Sequence, residues 1–256
     1  SLRVRSSTGT SGAGSCEGAL CVSALNVFAL CFFASLVWTA HELSKRPENL
    51  RTRAVRRLSA LLLGVNVLKY ALPPLMGGEL VLPVEFSAAA YFTTPAIPLF
   101  GPKRLRCWAA YAGLLAGSVY YSAMVLAGDA IYGTYPPSDV LLSLFCHGSL
   151  LVLGLIVTGT ESFTRRETAL LPLGVAVVAV RAALLRPWSG SGTLLIYELL
   201  DARILRSTLP AGNLSIALGV YYLTVGVMIL LSARLYLALN RASLRRGEEH
   251  LKALPV

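Results

Sequence analysis

A chain of 256 residues in which 55% are hydrophobic and 14% charged falls far below the roughly 25% charged content of an average soluble domain. That balance excludes an ordinary soluble globular protein and points to an all-α, polytopic membrane protein. The formal net charge of +10 would suit a nucleic-acid partner, but the cations are placed as a membrane protein places them, and no nucleic acid is expected.

Crossing a hydrocarbon core of about 30 Å takes about 20 mostly apolar residues at 1.5 Å rise per residue. The opening "SLRVRSSTGTSGAGS" is Ser/Gly-rich and basic, so residues 1–18 read as a flexible tail or the remnant of a targeting segment. Apolar stretches then follow at 19–40, 58–76, 82–100, 107–128, 139–159, 168–185 and 213–238. They predict a seven-helix transmembrane domain over 19–238 and a basic tail over 239–256. The third stretch is interrupted by Pro95 and Pro98, which membrane helices tolerate where neighbours satisfy the freed carbonyls. The fourth contains "GLLAG", Gly113 to Gly117, a spacing of small residues that lets helices approach closely. Between the sixth and seventh stretches, "GTLLIYELLDARILRSTLP" has the composition of a short amphipathic helix on the membrane face.

Charge sets the expected orientation. Fifteen Lys and Arg residues fall in the first, third and fifth loops and the C-terminal tail, against five in the N-terminal segment and the other loops. Because the cytoplasmic side carries the basic excess, the N-terminus is expected outside and the C-terminus inside. The remaining three, Lys69, Arg181 and Arg234, lie within predicted spans.

The five cysteines have no metal-like spacing and the three histidines, His41, His147 and His250, are scattered. Neither a metal nor another cofactor is expected, and the cysteines read as small apolar packing residues. The last span has no lysine for a retinal Schiff base, and no Walker loop or His-Glu-x-x-His motif occurs. The receptor signatures Asp/Glu-Arg-Tyr and Asn-Pro-x-x-Tyr are missing as well.

Ionisable groups in lipid cost several kcal/mol and face a bundle interior or a wet cavity. Lys69, Glu85, His147 and Arg181, with Ser87, Tyr91, Tyr120, Tyr121 and Asn66, are therefore candidates for one polar pocket toward the outer side. The structural alternatives are an ion pair between Lys69 and Glu85, an Arg181 that snorkels to lipid phosphates, and a His147 that is simply hydrogen-bonded inside the bundle.

Three segments, "LPVEFSAAAYFTTPAIPLF", "YAGLLAGSVYYSAMVLAGDAIYGTYPP" and "LLSLFCHGSLLVLGL", resemble the YwaF-type integral membrane proteins of bacteria. They are similar also to the eukaryotic relatives of those proteins, a transmembrane acyltransferase family implicated in phospholipid remodelling. Pro83, Gly113, Asp129, Pro136, His147 and Gly148 stand in the family's order, and the resemblance covers about residues 58–185. Two positions depart from it: Glu85 replaces the family's His, and Ser87 replaces the Cys thought to take the acyl group.

The resemblance implies a membrane-lipid substrate and one of two outcomes. In the first, Ser87 is the nucleophile, His147 the general base and then acid, and Tyr91, one turn from Ser87 on the same face, or a tyrosine of the fourth span, donates to the oxyanion. Lys69, Glu85, Tyr121 and Arg181 would line the substrate site, with Lys69 or Arg181 holding a lipid phosphate. In the second outcome the chemistry is lost and a non-catalytic bundle remains: a transporter, a lipid-binding protein, or an accessory subunit with other membrane subunits as partners.

Overall fold

The computed structural model describes residues 24–132, 135–189, 195–208 and 211–252. Every regular element among them is helical. In chain order these are α1 (Ala24–Ser44), α2 (Glu48–Leu75), α3 (Phe86–Phe100), α4 (Arg106–Tyr132), α5 (Pro137–Thr160), α6 (Arg165–Thr168), α7 (Leu170–Leu185), α8 (Leu195–Asp201), α9 (Arg203–Thr208) and α10 (Ala211–Lys252).

Six helical stretches are long and apolar enough to cross a membrane: Ala24–Ser44, Glu48–Leu75, Lys103–Gly128, Pro137–Thr160, Arg165–Trp188 and Leu214–Arg245. By length and composition this is the build of a multi-pass integral membrane protein. The third predicted span is the exception. Its helix, α3, has 15 residues, about 22 Å at helical rise, because residues 79–85 run without helical structure before it starts. Pro95 and Pro98 lie inside the helix without ending it.

Two other helices outrun their apolar stretches. α2 starts at Glu48, ten residues before the predicted boundary, so Arg51, Arg53, Arg56 and Arg57 of the first loop sit on its opening turns. Pro73 and Pro74 lie in its last turn, and the chain then leaves by a Schellman turn. Gly77 takes φ +80° while the Gly77 and Gly78 amides donate to the carbonyls of Pro74 and Pro73 at 3.2 and 2.8 Å. α10 continues through the basic C-terminal stretch to Lys252.

α5 is the central post. Pro137 and Asp139 occupy its first turn, as suits a helix N-terminus, and from Leu144 to Thr158 all but two of its residues are buried. Its closest partner is α4, and glycines set the spacing. A Cβ on Gly113 would lie 2.7 Å from the Leu150 carbonyl oxygen, and one on Gly117 3.0 Å from the His147 carbonyl oxygen. From the other side, a Cβ on Gly154 would lie 2.8 Å from the Ala110 carbonyl oxygen. Backbone rests on backbone at this crossing, so the rotation of His147 about α5 is tied to Gly117 of α4.

Side-chain hydrogen bonds close one end of the bundle. Asn240 of α10 donates to the carbonyls of Thr158 and Glu161 at 2.6 and 2.8 Å, and Arg106 pairs with Glu161 at 2.8 Å. At that end the short α6 carries a capping box between Thr164 and Glu167. At the opposite end, α8 and α9 are separated by Ala202 at φ 48°. α8 is tied down by Tyr221 and Tyr222 of α10, which donate to the carbonyls of Leu199 and Leu200 at 2.9 and 2.6 Å.

Candidate functional site

The α3–α5 contact brings together side chains 56 positions apart. On α5, the His147 ring is 7% exposed, and its Nδ1 lies 2.9 Å from the Ser143 carbonyl oxygen one turn back. A carbonyl only accepts, so Nδ1 carries the proton, and Nε2 is left as an acceptor. On α3, the buried Tyr91 hydroxyl lies 3.0 Å from that Nε2 and donates to it. The same oxygen is 2.9 Å from Nδ1, so the hydroxyl sits against the ring edge between the two nitrogens. The rings meet edge to face, at 5.2 Å and 74°.

α4 supplies the floor. Tyr120 stacks on the imidazole, with ring centres 3.8 Å apart and planes 6° from parallel. Tyr121 stands perpendicular to Tyr120 and donates to the Leu144 carbonyl at 2.9 Å. The glycine after the histidine has a steric reason. A Cβ on Gly148 would come within 3.0 Å of the Tyr121 hydroxyl and 2.9 Å of a Leu36 methyl.

α2 completes the layer. The Lys69 ammonium lies 5.6 Å from the ring centres of both Tyr70 and Tyr91, within cation–π range. One turn earlier, buried Asn66 donates to the Leu62 carbonyl at 2.8 Å and to Cys146 Sγ at 3.6 Å. Cys146 thus joins the polar layer, although its sequence context suggests only packing. Its position next to His147 was the one available signal.

The remaining candidates lie at the start of α3. Ser87 is half-buried in the first turn, and its hydroxyl has no hydrogen bond to His147 or to any other described residue. Glu85 is the N-cap residue of α3, and its carboxylate accepts the Ile196 amide of α8, with both oxygens 3.3 Å away. Arg181 of α7 does not reach outward to lipid. Its guanidinium donates to the carbonyls of Pro83 and Val84, because those two acceptors, in the stretch ahead of α3, have no helical partner.

α8 is docked beside them by Tyr197. Its hydroxyl donates to the Ala182 carbonyl at 3.1 Å and lies 2.6 Å from the Ser189 hydroxyl. Arg186 lies over the Tyr197 ring and forms a two-pronged pair with Asp201 at 2.8 and 2.5 Å. The amphipathic segment therefore packs against the end of α7 and touches the N-cap of α3.

Tyr91, His147, Lys69 and, through Tyr120, Tyr121 form one continuous cluster. Ser87, Glu85 and Arg181 belong to a neighbouring layer at the head of α3. Chemically, the cluster offers an imidazole edge that contacts a phenolic hydroxyl, with the Lys69 ammonium beside the same tyrosine ring. Comparison of the chain with models of protein families, with curated proteins and with solved structures finds no match.

Proposed function

We propose that the chain crosses the membrane seven times, N-terminal side out and C-terminal side in, and that the α3–α5 contact is a YwaF-like site for acyl transfer or ester hydrolysis on membrane lipids. In this reading α3, with the non-helical residues 79–85 ahead of it, makes the short third crossing and brings the total to seven, and the unequal loop charge sets the direction. One observation carries the site: the Tyr91 hydroxyl lies 3.0 Å from Nε2 of His147 as a hydrogen-bond donor, one turn from Ser87. A base oriented in this way is what activation of a serine requires.

In the proposed reaction the Tyr91 hydroxyl turns from Nε2 to the carbonyl oxygen of an incoming lipid ester, and the Ser87 hydroxyl moves in as the donor to Nε2. Ser87 Oγ attacks the ester carbonyl carbon as its proton passes to Nε2, and the carbonyl electrons move onto oxygen, where Tyr91 donates a hydrogen bond. Collapse breaks the ester C–O bond, and the imidazolium returns its proton to the departing alcohol. Water or an acceptor hydroxyl then releases the acyl group from Ser87 by the same steps. Lys69 is the cation for the lipid phosphate, while Arg181 holds the backbone ahead of Ser87.

The test is labelling of the purified protein, in lipid nanodiscs, with a lipid-like fluorophosphonate. The expected adduct is on Ser87, is absent in Ser87→Ala, and forms about 100-fold more slowly in His147→Ala. A folded sample that takes no label, or takes it regardless of His147, overturns the proposal.

A second reading has its own observation. With Nδ1 on Ser143, Nε2 on Tyr91 and a face under Tyr120, His147 is fully satisfied at rest, as a lock between helices in a non-catalytic bundle would be. Such a bundle would be a transporter, a lipid-binding protein or an accessory subunit. Stoichiometric co-purification with other membrane subunits, without labelling, would favour it.

A further inference from the structure

At the end of the bundle away from α8, a cavity of about 340 Å³ opens between the first turns of α2, the turn between α3 and α4, and the last turn of α5. Four cations line it: Arg51 and Arg56 from α2, Lys103 from the turn, and Arg106 from the start of α4. Two carboxylates face them, Glu48 and Glu161. Glu161 is already paired with Arg106 Nη1 at 2.8 Å, while Arg106 Nε is buried and has no partner among the described residues. Cations gathered around one concavity repel each other, and low-dielectric walls strengthen that repulsion, so the arrangement favours an incoming anion.

We infer that this cavity binds a phosphate monoester. Guanidinium groups suit phosphate oxygens because their donors form a planar fork, and Thr52 and Ser162 add hydroxyls to the lining. The volume lies at the small end of ligand sites, which run from roughly 300 to 1,000 Å³, as suits a headgroup rather than an acyl chain. α2, α4 and α5 are all apolar enough to cross a membrane, and the cavity is lined by the first turns of α2 and α4 and the last turn of α5. Basic pockets between membrane helices bind anionic headgroups in this position. The cavity is separate from the α3–α5 cluster, since Ile156 in its lining lies about 14 Å along α5 from His147. It therefore stands or falls independently of the acyl-transfer reading.

The phosphate has two possible sources, a lipid headgroup or a soluble phosphate ester. The experiment uses the full chain in phosphatidylcholine nanodiscs doped with phosphatidic acid, with lipid retention read by native mass spectrometry after extraction. Inorganic phosphate is titrated as the competing arm. Phosphatidic acid is expected to be retained in preference to phosphatidylcholine.

Each charge near the surface is worth about fivefold in affinity, so the double variant Arg51→Gln/Arg56→Gln should bind roughly 30-fold more weakly. Lys103→Gln should lose about fivefold, which keeps the test available if the double variant is unstable. Arg241→Gln/Arg245→Gln on α10 removes the same charge outside the cavity lining and should weaken binding less than the double cavity variant does, because solvent and salt screen charges that do not touch the ligand. Displacement by inorganic phosphate would assign the site to soluble phosphate esters, and resistance to it would assign the site to the lipid. Equal loss in the α10 control, or no preference for phosphatidic acid in the wild type, would overturn the inference.

Discussion

The Tyr91 hydroxyl donates to Nε2 of His147 at 3.0 Å, and the ring is held for it by the Ser143 carbonyl 2.9 Å from Nδ1. This bond is a direct polar link between α3 and α5, and the proposed site depends on it. Tyr91→Phe removes the hydroxyl but leaves a buried ring nitrogen unsatisfied, which costs about 1–3 kcal/mol. Unfolding in mixed detergent should show that loss. A variant as stable as wild type would mean that Nε2 finds another donor, and that α3 is not held by this bond.

Gly117 and Gly154 permit the backbone contact of α4 with α5. Gly117→Ala would set its Cβ 2.8 Å from the Leu151 Cβ and 3.0 Å from the His147 carbonyl oxygen. The helices must separate, and overpacking of this kind costs about 1–3 kcal/mol. Gly64→Ala is the control: nothing lies within 4 Å of its added Cβ, so the change should stabilise by about 0.5–1 kcal/mol through helix propensity. Thermal unfolding of the two variants should move in opposite directions.

Glu85 joins the head of α3 to the first turn of α8 through the Ile196 amide. Glu85→Ala deletes the acceptor, while Arg181→Met deletes the donor to the Pro83 and Val84 carbonyls. Both should loosen this end of the bundle and speed protease cleavage near α8 several-fold, with little change at the α4–α5 crossing. Unchanged cleavage in both variants would show that Tyr197, Tyr221 and Tyr222 hold α8 unaided.

The short α3 makes topology testable. Single cysteines placed at Glu79 and at Arg104, in a background without native cysteines, should react with an impermeant maleimide from opposite sides of sealed vesicles. Reaction from the same side would make α3 a re-entrant segment and leave six crossings.

Most of the helical framework is legible in the chain because an apolar run of about 20 residues has few alternatives to a membrane helix. Boundaries are less legible where hydropathy and hydrogen bonding part company. The arginines at 51, 53, 56 and 57 look like a loop, yet they ride the opening turns of α2, since a helix needs backbone partners and not apolar side chains. The stretch at 82–100 looks like one span, yet Leu82 to Val84 lie outside α3 and give their carbonyls at 83 and 84 to Arg181.

The chain alone determined that ionisable and aromatic residues recur in the middle of apolar stretches, and that Gly113 and Gly117 form a close-packing face. Only the tertiary structure decided that Tyr91 meets His147, that Lys69 lies over the Tyr91 ring, and that Arg106 and Lys103 share a cavity with Arg51 and Arg56. The reason is physical: an isolated helix specifies what lies on each of its faces. Which face turns toward which neighbour depends on the rotation set by glycine contacts at the α4–α5 crossing, and those contacts do not exist until both helices are packed.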